Sequence, residues 1–244
     1  MKLTGAQIVV KMLEKQGIKT VSGIPGGSIL PLYDELNKSS IRHILVRQEQ
    51  AAGFIAQGMA RTSGKAAVCL ATSGPGAMNL LTAIADARSD SIPLVAITGQ
   101  VNTYLIGTDA FQEADTFGLS FPITKHSIAV KNPEELLTAI PQAFAIAQEG
   151  RPGPVLIDIP RDVQLAQCEV ESFPDYEDFC IKEENVRFHT KKGKIQNIVE
   201  KMALELAQAK KPVLYIGGGC NSPAAAKALR EFKKNYRLPV VTSL

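Results

Sequence analysis

Short apolar runs alternate with stretches of helical period from the start of the chain to about residue 165. Thr20–Ile24, His43–Val46, Ala66–Thr72, Leu94–Thr98, Ile128–Val130 and Val155–Ile159 read as strands without the polar alternation of a half-exposed sheet, the pattern of buried parallel strands. Between them the apolar positions recur at helical spacing. Thr4 with Gln7 is a capping-box pair that opens a helix through Ile8, Met12 and Leu13, closed by Gly17. Further helices are predicted over Ser28–Leu36, Glu49–Ser63 (ended by Gly64), Ala77–Ala87 and Pro133–Gln148, with a kink at Pro141. This order predicts an α/β fold, a three-layer doubly wound sheet of about six parallel strands.

Pro25-Gly26-Gly27, Ser73-Gly74-Pro75-Gly76 and Gly99-Gln100 stop three of the strands. Open parallel sheets bind ligands at that carboxyl edge, although glycine and proline also serve plain turns there. Val101 to Pro122 has little periodicity and reads as a long loop with a short helix, a length often associated with function. From Gln164 to Lys194 charged and aromatic residues mix without a period, as in a linker. A helix (Ile195–Ala209), a strand (Val213–Ile216), a helix (Pro223–Tyr236) and a strand (Pro239–Thr242) follow. The expected organisation is a first domain over 1–165, a linker over 166–193, and the incomplete start of a second, Rossmann-like α/β domain over 194–244.

Composition narrows the function. With 45% hydrophobic and 21% charged residues, the 244-residue chain can bury a sizeable core. A net charge of +3 without basic blocks argues against a nucleic-acid partner. No apolar run approaches the ~20 residues of a membrane span, and the N-terminus reads as a helix start rather than a signal peptide. Cys69, Cys168, Cys180 and Cys220 form no CxxC pair, as expected of reduced thiols in a cytoplasm. The three histidines are far apart, so no metal site built from His and Cys is expected.

Glu49, between a strand and a helix in Arg47-Gln48-Glu49-Gln50, is the candidate catalytic carboxylate. Alone, it reads first as an acidic group that complements a helix dipole and caps loose N–H groups. Several other chemistries fail on spacing. Gly58 and Gly64 are one residue too far apart for a P-loop, and no GxSxG elbow occurs. Gly217-Gly218-Gly219 follows a strand, but Ser222 replaces the third glycine of a dinucleotide fingerprint, so a plain turn and a dinucleotide contact both stay open.

Together the motifs resemble the N-terminal part of the catalytic subunits of the acetolactate synthase (acetohydroxyacid synthase) family, which use thiamine diphosphate. The resemblance rests on Gly23-Ile24-Pro25-Gly26-Gly27-Ser28, Arg47-Gln48-Glu49-Gln50, Thr72-Ser73-Gly74-Pro75-Gly76 with Asn79, and Ile92-Pro93 with Thr98-Gly99-Gln100-Val101. Ile106 to Glu113 and Gly150-Arg151-Pro152-Gly153-Pro154-Val155 complete it, and the run Gly107 to Glu113 is the most specific. The resemblance implies a pyrimidine-binding domain over 1–165 and a central, FAD-contacting domain from 194. It implies that Glu49 hydrogen-bonds N1′ of the cofactor's aminopyrimidine, favouring the imino tautomer that takes the proton from C2 of the thiazolium. Pro25, Gly26, Thr72, Pro75 and Asn79 would line the pyrimidine pocket. Gly27 and Gln112 would stand near the reacting carbon and steady negative charge. Phe111 and Lys125 would line the substrate channel, and Arg151 with Gly217, Gly218 and Gly219 would contact FAD.

The implied reaction is condensation of two pyruvates, or of pyruvate with 2-ketobutyrate, with loss of CO₂, in branched-chain amino acid biosynthesis. The implied assembly is a homodimer with sites at the subunit interface and a possible small regulatory subunit. Three departures stand out. Ile24 replaces an aromatic residue, and Asn102 a proline. No Gly-Asp dipeptide occurs, so the Mg²⁺ and diphosphate site is expected in a C-terminal domain that this chain lacks, and the chain alone is expected to be inactive. Alternatives are another thiamine diphosphate enzyme (pyruvate oxidase, glyoxylate carboligase or acyl-CoA lyase) or a non-catalytic module that binds a small ligand.

Overall fold

The computed structural model of the chain describes residues 1–180 and 192–243. Two compact units, Met1–Ile181 and Lys182–Leu244, divide it. The first unit opens with a short strand, β1 (Lys2–Thr4), and then carries β2 (Thr20–Gly23), β3 (Arg42–Leu45), β4 (Ala67–Ala71), β5 (Leu94–Gln100), β6 (His126–Ala129) and β7 (Pro154–Pro160). Strands β2 to β7 form one six-stranded sheet in the order β3-β2-β4-β5-β7-β6, parallel throughout. All six lie where the apolar runs predict them, with ends shifted by one or two residues.

Helices α1 (Gly5–Lys15), α2 (Leu30–Leu36), α3 (Glu49–Ser63), α4 (Pro75–Ser89) and α6 (Leu136–Gln148) cover the sheet, with short α5 (Thr116–Ser120) and α7 (Arg161–Leu165). Successive residues of a strand face opposite sides, so the central strands feed two cores. Val68, Leu70, Val95, Ile97, Val155 and Ile157 join Ile8, Leu32 and Ile140 on the side of α1, α2 and α6. Cys69, Ala71, Ala96 and Leu156 join Ala52, Ala56, Leu80 and Ile84 on the side of α3 and α4. The second face is built of small residues, which lets α3 and α4 approach closely. A Cβ built on Gly53 would stand 2.4 Å from Ala83 Cβ, and Gln57 Nε2 donates to Ala83 O at 2.8 Å. Ser22 Oγ donates to Ala52 O at 2.7 Å and fastens α3 to β2.

Two differences from the sequence reading share one cause. β1 pairs antiparallel with β8 (Gln167–Glu169), Lys2 opposite Glu169 and Thr4 opposite Gln167. The capping box at Thr4 is present, with Gln7 N donating to Thr4 Oγ1 at 3.2 Å and Thr4 N to Gln7 Oε1 at 3.0 Å. Yet the residues before it pair as a strand rather than leading straight into the helix. The stretch read as the start of a linker instead belongs to the first unit. Phe173 and Tyr176 pack on its core, and Lys15 pairs with Asp175 at 2.9 Å. Three-residue strands carry no period, and their pairing partner lies far away in sequence. The remainder of the expected linker, 181–191, lies outside the described residues.

The second unit contains α8 (Lys192–Gln208), β9 (Leu214–Ile216), α9 (Pro223–Asn235) and β10 (Val240–Thr242), with β9 and β10 parallel. These are the two helices and two strands that the sequence predicts. Tyr215, at 72% exposure, and Val241 remain uncovered on the small sheet. Among the described residues no helix is long and apolar enough to cross a membrane.

Candidate active site

From β2 the chain passes outward to β3 and then returns beyond β2 to β4. The connections leaving β2 and β4 therefore run in opposite directions and open a crevice at the strands' carboxyl ends, where doubly wound sheets bind ligands. Gly23 closes β2 there. A Cβ on it would meet the Tyr33 hydroxyl at 2.5 Å and Leu70 O at 2.6 Å. Gly26 in the next turn lies so close to Thr72 that a Cβ would stand 2.6 Å from Thr72 Cβ. Ser28 N donates to Thr72 Oγ1 at 3.3 Å, and the Ser28 and Ser73 hydroxyls are 2.7 Å apart. The two crevice loops are thus fastened to each other. Pro25 is exposed beside them, and nothing stands within 4 Å of a Cβ on Gly27, whose backbone faces open space.

Glu49 begins α3, and Pro75 begins α4. The close packing of these helices brings Asn79 Nδ2 within 2.9 Å of Glu49 Oε2, as donor. Gly76 faces the other oxygen, since a Cβ there would meet Thr72 Cγ2 at 2.7 Å and Glu49 Oε1 at 3.4 Å. Among the described residues no donor reaches Oε1. The carboxylate is half-buried, oriented through one oxygen and left with an open acceptor on the other, an arrangement suited to a proton-bearing ligand nitrogen. Behind it, the Tyr33 hydroxyl has no partner among the described residues, and burial, with Cys69 and Glu49 nearby, pushes its pKa up.

Gln112 joins this site through its backbone. Gly74, at φ +56°, lies against it, and a Cβ on Gly74 would stand 2.5 Å from Gln112 O. The loop that carries Gln112 turns through left-handed residues at Gly107, Asp109 and Gln112. Glu113 ties it together by accepting from Gly107 N, and from Ala110 N at 3.0 Å. These backbone donors, Gly107 first, hold the Glu113 carboxyl below its ordinary value. Phe111 projects from the same loop at 88% exposure.

The structure brings together Pro25, Gly26, Gly27, Glu49, Thr72, Pro75, Asn79 and Gln112, with Phe111 on their rim. It does not bring Lys125 or Arg151. Lys125 precedes β6 and bonds Pro154 O with its own N–H, at the amino edge of the sheet. Its Nζ donates to Glu149 O at 2.7 Å and to Ile146 O at the end of α6, and burial lowers its pKa. Within this unit Lys125 therefore cannot share a channel wall with Phe111, which follows the carboxyl end of β5. The half-buried carbonyls of a helix terminus claim its charge instead. Arg151 is also at the amino edge, with Nε on Ser91 Oγ at 2.7 Å and Nη2 on Ser89 O at 3.1 Å. Gly217, Gly218 and Gly219 follow β9 in the second unit, where Gly217 and Gly218 with Asn221 and Arg230 line a cavity of about 300 Å³.

Sequence reasoning quoted Gln100 only as part of a strand-end motif and missed Asp158, with which it forms a buried polar group beside the loop. A signal was present, because Asp158 interrupts an otherwise apolar strand and a charge there requires partners.

Two family descriptions match the chain. "Thiamine pyrophosphate enzyme, N-terminal TPP binding domain" covers residues 3–119, and "Thiamine pyrophosphate enzyme, central domain" covers 199–244. The chain belongs to the thiamine pyrophosphate enzyme family. Over its whole length it is similar to acetolactate synthase large subunits. It is 55% identical over 249 residues to the acetolactate synthase isozyme 1 large subunit of Escherichia coli strain K12, covering 100% of this chain and 42% of that protein. It is 49% identical over 243 residues to the isozyme 2 large subunit of the same organism, covering 99% of this chain and 42% of that protein. To a probable acetolactate synthase large subunit of Methanocaldococcus jannaschii it is 45% identical over 242 residues, covering 99% and 40%. The chain thus spans about two-fifths of the length of these relatives.

Proposed function

We propose that this chain supplies the aminopyrimidine-binding half of an acetolactate synthase active site. The whole enzyme would condense two pyruvates, or pyruvate with 2-ketobutyrate, with loss of CO₂, toward the branched-chain amino acids isoleucine, valine and leucine. The observation that carries the reading is Glu49, held by Asn79 at 2.9 Å through one oxygen, with the other oxygen free of donors among the described residues. An open carboxylate acceptor between two glycine loops fits a protonated pyrimidine nitrogen. Thiamine diphosphate, when bound, supplies the carbanion chemistry. The chain's own contribution is local. Glu49 holds or returns a proton at the ring nitrogen, and Asn79 keeps its carboxylate in one orientation. Pro25, Gly26, Thr72 and Pro75 wall the ring, while the Gly27 N–H and the Gln112 side chain stand ready for developing negative charge.

Residues 1–165, with the stretch to Cys180 packed on them, would form the pyrimidine-binding domain, and 194–244 the start of the central domain. Gly217 to Gly219 would contact FAD, a reading supported by the cavity that Gly217 and Gly218 line, and Arg151 is a separate proposed FAD contact on the first unit. Phe111, on the crevice rim, would line the substrate channel. Mg²⁺ and the diphosphate would be held by residues beyond this stretch. Two copies would pair to complete each site in the cytoplasm, and the name "large subunit" borne by relatives supports a small regulatory partner.

The test is a chimera that joins this chain to the remainder of the Escherichia coli isozyme 1 large subunit. It is expected to form acetolactate from pyruvate with thiamine diphosphate, Mg²⁺ and FAD, and Glu49→Gln is expected to lower kcat by about a hundredfold, within the range for a lost proton-transfer group. Unchanged activity of Glu49→Gln at saturating cofactor would remove the proton-transfer role.

A further inference from the structure

Gln100, the last residue of β5, is 4% exposed and makes three hydrogen bonds with one carboxamide. Its Oε1 accepts from Val101 N at 2.8 Å. Its Nε2 donates to Ala114 O at 2.9 Å and to Asp158 Oδ2 at 2.9 Å. Val101 and Ala114 are the two ends of the loop that carries Gln112. A single side chain therefore closes the loop at its base.

Asp158 braces that carboxamide from the neighbouring strand. It lies on β7 at 5% exposure, and its Oδ1 accepts from Thr98 Oγ1 at 2.6 Å. A backbone carbonyl only accepts and a backbone N–H only donates, so the group of Gln100 that faces Ala114 O and Oδ2 has to be the NH₂, whether or not Asp158 carries a proton. With the NH₂ so placed, the amide oxygen is left for Val101 and the second N–H for Ala114. The reversed amide would set its oxygen against Ala114 O and its NH₂ against Val101 N, losing both backbone bonds. Burying a carboxylate and an amide between strands that are otherwise apolar is unfavourable unless every group is paired, and here the pairing converges on the loop. Two residues before Ala114 the loop meets Gly74 through the Gln112 backbone.

We infer that Gln100 and Asp158 are positioning residues that hold the 101–114 loop so that Gln112 is presented at the crevice. The clamp rests on geometry alone, whereas its importance for catalysis rests on the function proposed above.

Hydrogen–deuterium exchange of the 244-residue chain separates the two. In Gln100→Met, amides of 101–113 are expected to exchange about tenfold faster, the factor that one hydrogen bond is worth. Amides of β4 and β7 are expected to keep their protection. Gln100→Asn shortens the side chain by one methylene without placing an apolar group there, and serves if Gln100→Met does not fold, with the same local loosening expected. Asp158→Asn keeps an oxygen toward Gln100 and is expected to retain most of the loop protection. Unchanged loop exchange in both Gln100 variants, or loosening spread evenly over loop and strands, would overturn the clamp.

In the chimera, Gln100→Met is expected to lower kcat about tenfold while leaving the concentration of thiamine diphosphate for half-maximal activity unchanged. Weakened cofactor binding with kcat intact would assign Gln100 a merely structural role. An inactive parent chimera would count against the proposed function, and the exchange comparison would still decide the clamp.

Discussion

Asn79 Nδ2 donates to Glu49 Oε2 at 2.9 Å, across two helices whose first turns face the same crevice. The bond depends on how closely α3 and α4 pack, set by Gly53 against Ala83 and by Gln57 on the Ala83 carbonyl. Asn79→Leu keeps the size of the side chain and removes the donor. A hydrogen bond to a charged group contributes about 1.5–3 kcal/mol, so kcat/KM of the chimera is expected to fall by roughly ten- to a hundredfold. Initial rates at varied pyruvate and cofactor check this.

Gly76 should not tolerate a side chain while Thr72 keeps its methyl. A Cβ there would stand 2.7 Å from Thr72 Cγ2, and Glu49 Oε1 is next at 3.4 Å. Gly76→Ala is expected to lose about 1–3 kcal/mol through overpacking. Thr72→Ser removes the methyl and keeps the hydroxyl that accepts from Ser28 N. In the double variant most of the loss is expected to return, helped by alanine's helix propensity of about 1 kcal/mol over glycine. Urea unfolding of the two single variants and the double gives the coupling directly.

Burial, reinforced by Asp115 and opposed by Thr98 and Gln100, pushes the Asp158 carboxyl from 3.8 up to about 7. Between those values the native state retains a proton that the unfolded chain has released. The stabilisation is complete below the unfolded pKa and is lost as pH rises through about 7, on the order of 4 kcal/mol in all. Asp158→Asn is expected to flatten the stability profile between about pH 4 and 7, measured by urea titrations at intervals of pH.

Glu113 has the opposite sign. Gly107 and Ala110 donate to its ionised form and lower its pKa, so the loop gains from the carboxylate above the ordinary value and loses that gain as pH falls through the lowered one. Glu113→Gln is expected to speed amide exchange at Gly107 and Ala110 at neutral pH, and acid is expected to lower the protection of the same amides, relative to intrinsic exchange at each pH, in the unsubstituted chain.

The six-stranded sheet was legible because Val68 to Leu70, Val95 to Ile97 and Val155 to Ile157 are buried on both faces and leave a continuous apolar trace. Glu49, Gly26 and Asn79 could be singled out from motif and order. Their mutual placement could not, because it depends on how closely α3 packs on α4. The Lys125 position shows the same limit from the other side. Its identity fits a resemblance, but only the topology reveals that residue 125 stands at the amino edge of the sheet. Gln100 lay inside a quoted motif, and its three bonds reach residues 101, 114 and 158, which no local pattern joins.

The β1–β8 ladder has a mechanical consequence. Met1 donates to Val170 O at 2.8 Å, and Lys2 faces Glu169, so both strands leave the ladder on the same side. Tension applied between residue 1 and the segment after Val170 opens the ladder like a zipper, breaking its bonds one at a time rather than loading them in parallel. The seam gives way before α1 is pulled from the core, and a partner fused ahead of residue 1 would strain the unit where it resists least.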